Sequence, residues 1–307
     1  MQPEAIHNNR VLLSPLNWGM GHVSRSIGLV DQLLKQGNDL ILACDAEQSS
    51  IYKIYFPSVT YVLHEGYPFK FQGKGNFAWD LTRNMRSLRS RLQLEMAETK
   101  RLVEKFHIDV VLSDHRYGFF DEVVPSIFIT HQYHLPVPRL QSIADRWHKK
   151  HMQPFSDIWI LDYSDSRLSG RLSADTRDDR VVYIGPYSRF SSYKTSGEKH
   201  LENIIVASGP KVYAQQFVDE MVRKHPNAVL ICSNDIHVPT SIKTISNNWK
   251  EQDQAILGAK RLISRSGYST VMDLEFLKIP ALLYPTPGQT EQIYLHDRLT
   301  DCSEYIP

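Results

Sequence analysis

Two small residues, Ser266-Gly267, stand between a short apolar run and a helix-forming run in the C-terminal third of the chain. A helix that begins at such a turn presents backbone N–H groups without intrahelical acceptors, and its dipole also favours an anion there. Asp273 follows six residues after Gly267, a spacing that suits a carboxylate reaching a ribose. Together the turn and the carboxylate predict a bound nucleotide diphosphate that needs no metal ion.

The residues after this helix make the pattern more specific. Residues 280–285 form a proline-bounded apolar run that predicts a strand, and residues 289–292 predict a polar loop that contains Glu291 and Gln292. The competing interpretation is an ordinary helix cap with a solvated Asp273, because Ser-Gly caps are common in α/β folds. Glu275 lies about 200° around the helix from Asp273, so the two carboxylates do not face one ligand.

A second group of candidate site residues lies in the predicted loop before the first helix. This loop combines small and basic residues, Gly19, Gly21, His22 and Arg25. Glycines permit close backbone approach, and imidazole titrates near neutral pH, so His22 is the first candidate for a general base. Gly19 and Gly21 fit the first two positions of a dinucleotide-binding motif, but Ser24 replaces the third glycine. A plain strand-to-helix turn with a surface histidine is the competing interpretation.

Other polar or small residues follow predicted strands. Asp114 and His131 each end a strand in the N-terminal half, and Ser208-Gly209 ends one in the C-terminal half. Ligands of parallel α/β sheets bind at the carboxyl ends of the strands, so these residues are expected at a site edge. Asp114 is the second candidate base, and Ser208-Gly209 permits a second close approach to phosphate or sugar. Loop capping and an ordinary turn are the competing interpretations.

The elements that carry these residues predict an α/β fold. Strand-length apolar runs alternate with helical spacing along the whole chain, which indicates two doubly wound, Rossmann-like domains in series. We expect an N-terminal acceptor-binding domain at residues 1–187, a Ser- and Lys-rich linker at 188–200, and a nucleotide-binding domain at 201–307. The natural place for a site is a cleft between the two domains.

Composition excludes several function classes. The 307 residues carry a net charge of +1, which gives no reason to expect nucleic acid as a partner. Apolar runs are too short to span a membrane, residues 1–9 show no secretory signal, and three distant cysteines predict neither a disulfide framework nor a zinc ribbon. The expected location is therefore the cytoplasm.

Two basic segments remain ambiguous. Four arginines of a predicted long helix form a basic cluster, Arg83, Arg86, Arg89 and Arg91. This cluster suits either peripheral contact with the inner face of an anionic membrane or simple solvation, and nearby glutamates favour solvation. His148 and His151 have a spacing seen in metal sites, but no carboxylate or thiolate accompanies them, so a basic surface helix is expected and no metal.

Residues 264–292 together with Gly21-His22 resemble the GT-B-fold glycosyltransferases of family 28, which includes the peptidoglycan-precursor N-acetylglucosaminyltransferase. The resemblance rests on Ser-Arg-Ser-Gly before a helix, an acid six residues beyond the glycine, a Pro-Ala-Leu strand and a Gln-containing loop. It covers about forty C-terminal and thirty N-terminal residues. It implies a metal-independent, inverting transfer of sugar from a nucleotide sugar, with UDP-sugar as the expected donor and a glycan or lipid-linked acceptor. No cofactor is implied.

The resemblance also implies residue roles. Ser266 and Gly267 would hold the diphosphate, Asp273 the ribose, Glu291 and Gln292 the donor sugar, and Trp249 the nucleobase. Arg265 would belong to the same donor site. The N-terminal domain would hold the acceptor, with His22 near the reacting centre.

The sequence departs from the family pattern in three places. The ribose-binding acid is an aspartate rather than a glutamate, Ile293 replaces the second glutamine of a Gln-Gln pair, and the chain stops fifteen residues after Gln292. The last departure predicts a shortened C-terminal end. It keeps two alternatives open, a nucleotide-sugar epimerase and a non-catalytic nucleotide-sugar-binding subunit.

Overall fold

A computed structural model describes residues 1–17, 19–67, 85–137, 141–193, 198–246 and 248–306, with the backbone alone at 85–88. The chain divides into two compact units, the first ending at Tyr187 and the second beginning at Ser188. Each unit is built around one β-sheet.

The first unit contains a seven-stranded parallel sheet of order β3-β2-β1-β4-β5-β6-β7. Its strands are β1 Arg10–Pro15, β2 Asp39–Cys44, β3 Thr60–Leu63, β4 Val110–Asp114, β5 Ser126–Thr130, β6 Asp157–Ile160 and β7 Val181–Tyr183. The described helices are α1 Gly21–Lys35, α2 Ala46–Tyr55, α3 Met85–Phe106 and α4 Gln141–Met152. The central strands are buried along nearly their whole length, as expected for a parallel sheet covered on both faces.

The second unit contains a six-stranded sheet of order β10-β9-β8-β11-β12-β13, in which only β13 is antiparallel. Its strands are β8 Leu201–Val206, β9 Val229–Ile231, β10 Thr244–Ile245, β11 Ala259–Arg265, β12 Ala281–Tyr284 and β13 Glu304–Tyr305. The described helices are α5 Lys211–Lys224, α6 Trp249–Leu257, α7 Tyr268–Leu277 and α8 Thr290–Leu299.

Two successive residues of β8 show that helices cover both faces of this second sheet. Ile204 packs with Ile256 of α6 and Leu274 of α7 in one apolar cluster. Its neighbour Ile205 packs with Phe217 of α5 in another. Because successive side chains of a strand point to opposite faces, the sheet is doubly wound. The α/β prediction is confirmed.

The structure differs from the sequence prediction at two connecting segments. Thr290–Leu299 is a helix, so the segment at 289–292 predicted as a polar loop instead forms the first turn of α8. Within the segment predicted as a linker, Arg189–Ser192 form a 3-10 turn. Phe190 anchors this turn because its apolar ring is 1 % exposed in the core of the second unit.

Candidate functional site

The first unit has a candidate site where the strand order of its sheet changes direction. Pro15, the last residue of β1, is in register with Asp114, the last residue of β4. Connections that leave neighbouring strands toward opposite sides open a crevice at the carboxyl ends of those strands. The loop after β1 leads into α1, and it brings His22 to Asp114 at this crevice.

His22 and Asp114, the two residues predicted as catalytic, form a direct pair. His22 Nδ1 lies 2.9 Å from Asp114 Oδ2, and Arg25 Nε donates to the same oxygen at 3.1 Å. Arg25 Nη2 donates to Asp114 Oδ1, so the guanidinium holds the carboxylate through both oxygens. The i, i+3 spacing of His22 and Arg25 on α1 turns both side chains toward one partner.

The imidazole is the accessible member of this group. The side chains of Asp114 and Arg25 are 2 % and 3 % exposed, whereas that of His22 is 14 % exposed. His22 Nδ1 lies 2.8 Å from Arg25 Nη2, which can only donate, and 2.9 Å from Asp114 Oδ2, which can only accept, so the tautomer decides which of the two hydrogen bonds forms. In the tautomer whose Nδ1–H donates to Asp114, the ring lone pair is on Nε2. The geometry therefore suits a histidine that accepts a proton while a buried carboxylate orients it.

The charges around His22 favour this protonation state. Burial and the nearby charge of Arg25 lower the pKa of His22, although Asp114 opposes them. Burial by itself raises the pKa of Asp114, but Arg25 and His22 outweigh it, so this pKa is below its usual range. Near neutral pH the pair consists of a neutral imidazole and an ionised carboxylate, as a general base requires.

Two more histidines line the same sheet edge. His131, predicted on the acceptor side, accepts a hydrogen bond at its Nδ1 from Arg25 Nη1 at 3.0 Å. His115 follows Asp114 directly and has a left-handed φ of 61°. Its ring centroid lies 6.3 Å from that of His22, and its Nδ1 lies 3.1 Å from Thr130 Oγ1. Its position at a strand end is the sequence signal that could have selected His115.

His148 differs from its prediction as part of a basic surface. It is fully buried, its Nδ1 lies 2.7 Å from the Tyr117 hydroxyl, and its Nε2 lies 2.8 Å from the Gln132 carbonyl oxygen. Burial lowers the pKa of His148 to about 4. The surface prediction was wrong because α4 turns His148 and Met152 inward.

Gly19, in the loop before α1, has open space beside its backbone. Gly19 is exposed with φ of +92°, and a Cβ added there would meet nothing within 4 Å. Gly21 is the first residue of α1. Gly19 thus has the positive φ that favours glycine and open space beside its backbone.

The predicted basic cluster is only partly described. Arg83 lies outside the described residues, as does the side chain of Arg86, and Arg89 is exposed. Arg91 is 11 % exposed and donates to the Glu65 carbonyl oxygen at 2.6 Å, so it does not belong to an exposed basic face. Within the described chain, no helix combines the length and apolar character needed to cross a bilayer.

The second unit has its own change of strand direction, between β8 and β11. Val206 at the end of β8 is in register with Ser264 near the end of β11. The loops that follow these strands carry Ser208-Gly209 and Ser266-Gly267, so the structure places the two predicted turns at neighbouring strand ends. Ser208 and Gly209 are exposed, and Gly209 has φ of +95° with open space beside it.

Gly267 is the N-cap of α7, with φ of −72°. Gly267 has no side chain with which to cap the helix, and a helix start carries N–H donors. Gln292 lies beside it, because a Cβ on Gly267 would be 3.7 Å from Gln292 Nε2. The Gln292 Oε1 accepts the Thr286 N–H at 2.8 Å, which fixes the orientation of the amide. A fixed side-chain amide thus adjoins the helix start.

Ser266 and Arg265 form hydrogen bonds to backbone carbonyl oxygens of the protein. The Ser266 hydroxyl donates to the Gln292 carbonyl oxygen at 2.9 Å, and its N–H donates to the Tyr284 carbonyl oxygen at 3.0 Å. Arg265 donates to the carbonyl oxygens of Pro285 and Tyr213 at 2.8 and 3.2 Å. The predicted phosphate role therefore fits Gly267 better than Ser266.

Asp273 faces Ser188, which the sequence pattern does not mark as a site residue. Its Oδ1 accepts a hydrogen bond from Ser188 Oγ at 2.5 Å, and its Oδ2 lies 3.9 Å from Arg189 Nη1. Burial raises the pKa of Asp273 to about 6, against the opposing effects of Arg189 and Ser188. Ser188 and Arg189 were missed because they lie in a segment without periodicity, predicted to be a linker.

Trp249 and Glu291 lie near these groups. The Arg189 guanidinium is 5.1 Å from the Trp249 ring, so Arg189 connects the predicted nucleobase residue with the predicted ribose residue. Glu291 is half-buried in the first turn of α8, next to Gln292. The structure thus brings Asp273 and Trp249 to one guanidinium, and Gln292 to Gly267.

Asp273→Asn is expected to raise the free energy of unfolding by about 2 kcal/mol at pH 8 and to leave it nearly unchanged near pH 4. Because the pKa of Asp273 is raised from 3.8 to about 6, the stability of its neutral form is lost as the pH rises through that window. Urea denaturation at the two pH values measures the effect. Asp297→Asn, at a side chain 70 % exposed, is the matched control. A variant that is destabilised at pH 8 would contradict this assignment.

Within the residues that the structure describes, no group of three or more His, Cys, Asp or Glu side chains is placed to hold a metal ion.

Comparison with solved structures shows that this chain is similar in fold to several glycosyltransferases. No family model and no curated protein matches the sequence. The glycotransferase of kitacinnamycin superposes with a TM-score of 0.63 at 15 % identity, over 94 % of this chain and 83 % of that one. The spinosyn rhamnosyltransferase SpnG complexed with thymidine diphosphate gives 0.59 at 15 % identity over the same shares of each chain. MurG of Acinetobacter baumannii gives 0.51 at 12 % identity, again over 94 % and 83 %.

The chain therefore has the GT-B fold of these glycosyltransferases, as its resemblance to that fold class implied. The shared cleft expected from the sequence stays a prediction, as do the roles of individual residues.

Proposed function

We propose that the protein is a glycosyltransferase that moves a sugar from a nucleotide diphosphate sugar to an acceptor hydroxyl of a glycan or glycolipid. The observation that carries the proposal is the position of its polar groups at the switch points of two separate sheets. His22 and Asp114 occupy one switch point, and Gly267 with Gln292 occupies the other. Ligands of doubly wound folds bind at such points.

The donor side of the proposal rests on the second unit. Gly267 offers a helix start to the diphosphate, Gln292 an amide to a phosphate or sugar hydroxyl, and Asp273 a carboxylate to the ribose. SpnG, which has a similar fold, binds thymidine diphosphate. The motif at residues 264–292 and the similar fold of MurG support membership of family 28, and with it a UDP-sugar as donor.

The acceptor side rests on the first unit. In the proposed reaction His22 Nε2 takes the proton of the acceptor hydroxyl while the acceptor oxygen attacks the anomeric carbon. The bond from that carbon to the diphosphate oxygen breaks on the opposite face, so the configuration inverts. Asp114 holds the imidazole in its reactive tautomer and stabilises the imidazolium that forms, and Arg25 holds Asp114.

The leaving diphosphate needs stabilisation as its negative charge develops. The first-turn N–H groups of α7 and its dipole supply it, and Gln292 Nε2 adds a donor beside them. The proposed transfer is therefore independent of a metal ion.

Gly267→Asp is expected to abolish binding of UDP, with a loss of affinity of at least about a hundredfold. The new carboxylate occupies the position of the diphosphate and repels its negative charge. Aspartate is a favoured N-cap residue, and the φ of −72° suits any side chain, so the variant is expected to fold. Isothermal titration calorimetry with UDP in the presence of EDTA measures the affinity.

The matched control is Gly267→Asn, which has the size of aspartate without its charge and is expected to lose less affinity. Full-strength UDP binding by folded Gly267→Asp would remove the phosphate assignment. Loss of wild-type binding on addition of EDTA would remove the metal independence.

A further inference from the structure

The ribose-binding candidate Asp273 already holds one hydroxyl group. Ser188 Oγ donates to Asp273 Oδ1 at 2.5 Å, and the Asp273 side chain is only 13 % exposed. The other oxygen, Oδ2, lies 3.9 Å from Arg189 Nη1. The carboxylate is therefore engaged unequally, with a short hydrogen bond on one oxygen and a longer ionic contact on the other.

The Ser188 hydroxyl is fixed in this direction. Its oxygen accepts the Phe190 N–H at 3.1 Å, and a hydroxyl has only one proton, which is left to donate to Asp273. Ser188 is fully buried, and Phe190 anchors the turn in the core.

Arg189 is fixed as well. Its Nε donates to the buried Asp253 at 2.6 Å, and Tyr193 donates to the other oxygen of Asp253 at 2.8 Å. Its guanidinium also lies 5.1 Å from the Trp249 ring. The groups around Asp273 therefore belong to an ordered turn.

A carboxylate can accept the two hydroxyls of a ribose diol, one on each oxygen. Here Ser188 takes the place of one of the two hydroxyls. We propose that Ser188 makes Asp273 an acceptor for a single ribose hydroxyl, so that the site takes 2′-deoxyribonucleoside diphosphates as well as ribonucleoside diphosphates. This inference rests on the proposed nucleotide-sugar function and specifies its donor class.

The loss of affinity for a nucleotide that lacks one ribose hydroxyl separates this proposal from ordinary ribose recognition. A site that hydrogen-bonds a substrate hydroxyl strongly rejects the analogue that lacks it, because its own polar group is left unpaired. A site in which Ser188 already satisfies that oxygen leaves nothing unpaired when the hydroxyl is absent.

The test compares UDP with dUDP, which differ only in the 2′-hydroxyl, by isothermal titration calorimetry. Wild-type protein is expected to bind the two within about threefold of each other. Ser188→Ala frees Asp273 Oδ1 and is expected to favour UDP over dUDP by about tenfold or more, the usual value of a hydrogen bond to a charged group. Ser188→Thr keeps the hydroxyl and should restore the wild-type ratio.

Ser191→Ala is the control from the same turn, because the Ser191 hydroxyl bonds to the Ser188 carbonyl oxygen and not to Asp273. It is expected to keep the wild-type ratio. A wild-type preference for UDP of tenfold or more would overturn the inference and leave the proposed function standing. Equal binding of both nucleotides by folded Ser188→Ala would also overturn it. Absence of binding of either nucleotide to wild-type protein would overturn the proposed function and this inference together.

Discussion

His22→Ala is expected to lower kcat for sugar transfer by about 10²- to 10⁴-fold while UDP binds with unchanged affinity. The imidazole removes a proton only in the transition state, and His22 lies in the first unit, whereas the proposed nucleotide site lies in the second. Initial rates of UDP release and calorimetry with UDP measure the two quantities. His7→Ala, at an exposed histidine of the same unit, is the matched control.

The pH profile gives an independent check on His22. Burial and Arg25 lower the pKa of His22, so its neutral, reactive form persists to a pH below the ordinary value of 6.5. We therefore expect kcat/KM to rise with pH through an inflection below 6.5 and to stay level above it. Asp114→Asn is expected to lower kcat by about a hundredfold or more, because the amide no longer enforces the reactive tautomer. An unchanged rate in His22→Ala, beside an unchanged rate in His7→Ala, would contradict its assignment as the base.

Arg116→Met is expected to lower the free energy of unfolding by about 3–5 kcal/mol, because it leaves the Glu95 carboxylate buried without its cation. Both side chains are fully buried, and Arg116 Nε donates to Glu95 at 2.5 Å. The Tyr67 hydroxyl and the Gly118 N–H donate hydrogen bonds to the same carboxylate at 2.7 and 3.1 Å. Burial raises the pKa of Glu95, but Arg116, His64 and Tyr67 outweigh it, so this pKa is lowered.

The lowered pKa of Glu95 fixes the sign of the pH effect. Its contribution to stability is present above the ordinary pKa of a glutamate and is lost as the pH falls through the lowered value. Urea denaturation followed by tryptophan fluorescence measures the loss in Arg116→Met. The double variant Glu95→Met/Arg116→Met is expected to recover most of the loss, since no unpaired charge remains.

The matched control for this pair is Lys35→Met, which removes an ion pair to Asp31 from a side chain 68 % exposed and is expected to cost less than about 1 kcal/mol. A loss of less than 1 kcal/mol in Arg116→Met, or a double variant as unstable as the single one, would contradict the assigned role. Arg116 follows Asp114 by two residues, so this ion pair also fixes the loop beside the proposed base.

The sequence predicted the elements that depend on local pattern. The strand Ser126–Thr130 ends directly before His131, and the helix Tyr268–Leu277 begins directly after Ser266-Gly267, as predicted, because apolar spacing and turn residues mark both elements. The residues at strand ends followed from the same pattern, since parallel strands of a doubly wound sheet end at a common edge. This reasoning found His22 and Asp114, and the sheet order then made them neighbours.

The residues that the sequence could not reveal depend on contacts between distant segments. Ser188 and Asp273 are 85 residues apart, and the polar segment around Ser188 resembles a linker. Glu95 and Arg116 pair across 21 residues, and neither has a distinguishing neighbour in sequence. His148 seemed exposed because lysines follow it, yet helix rotation turns its ring inward. The predicted polar loop after β12 became a helix because no Gly or Pro interrupts residues 290–299.

Analysis of reaction products shows whether the protein transfers sugar from a nucleotide diphosphate sugar. Wild-type protein would be incubated with UDP- and dTDP-sugars and EDTA, with and without a glycan and glycolipid extract as acceptor, and the products followed by NMR and mass spectrometry. We expect acceptor-dependent release of the nucleoside diphosphate and a new glycoside of inverted configuration. Epimerised nucleotide sugar formed without acceptor, or unchanged nucleotide sugar with every donor, would contradict this expectation.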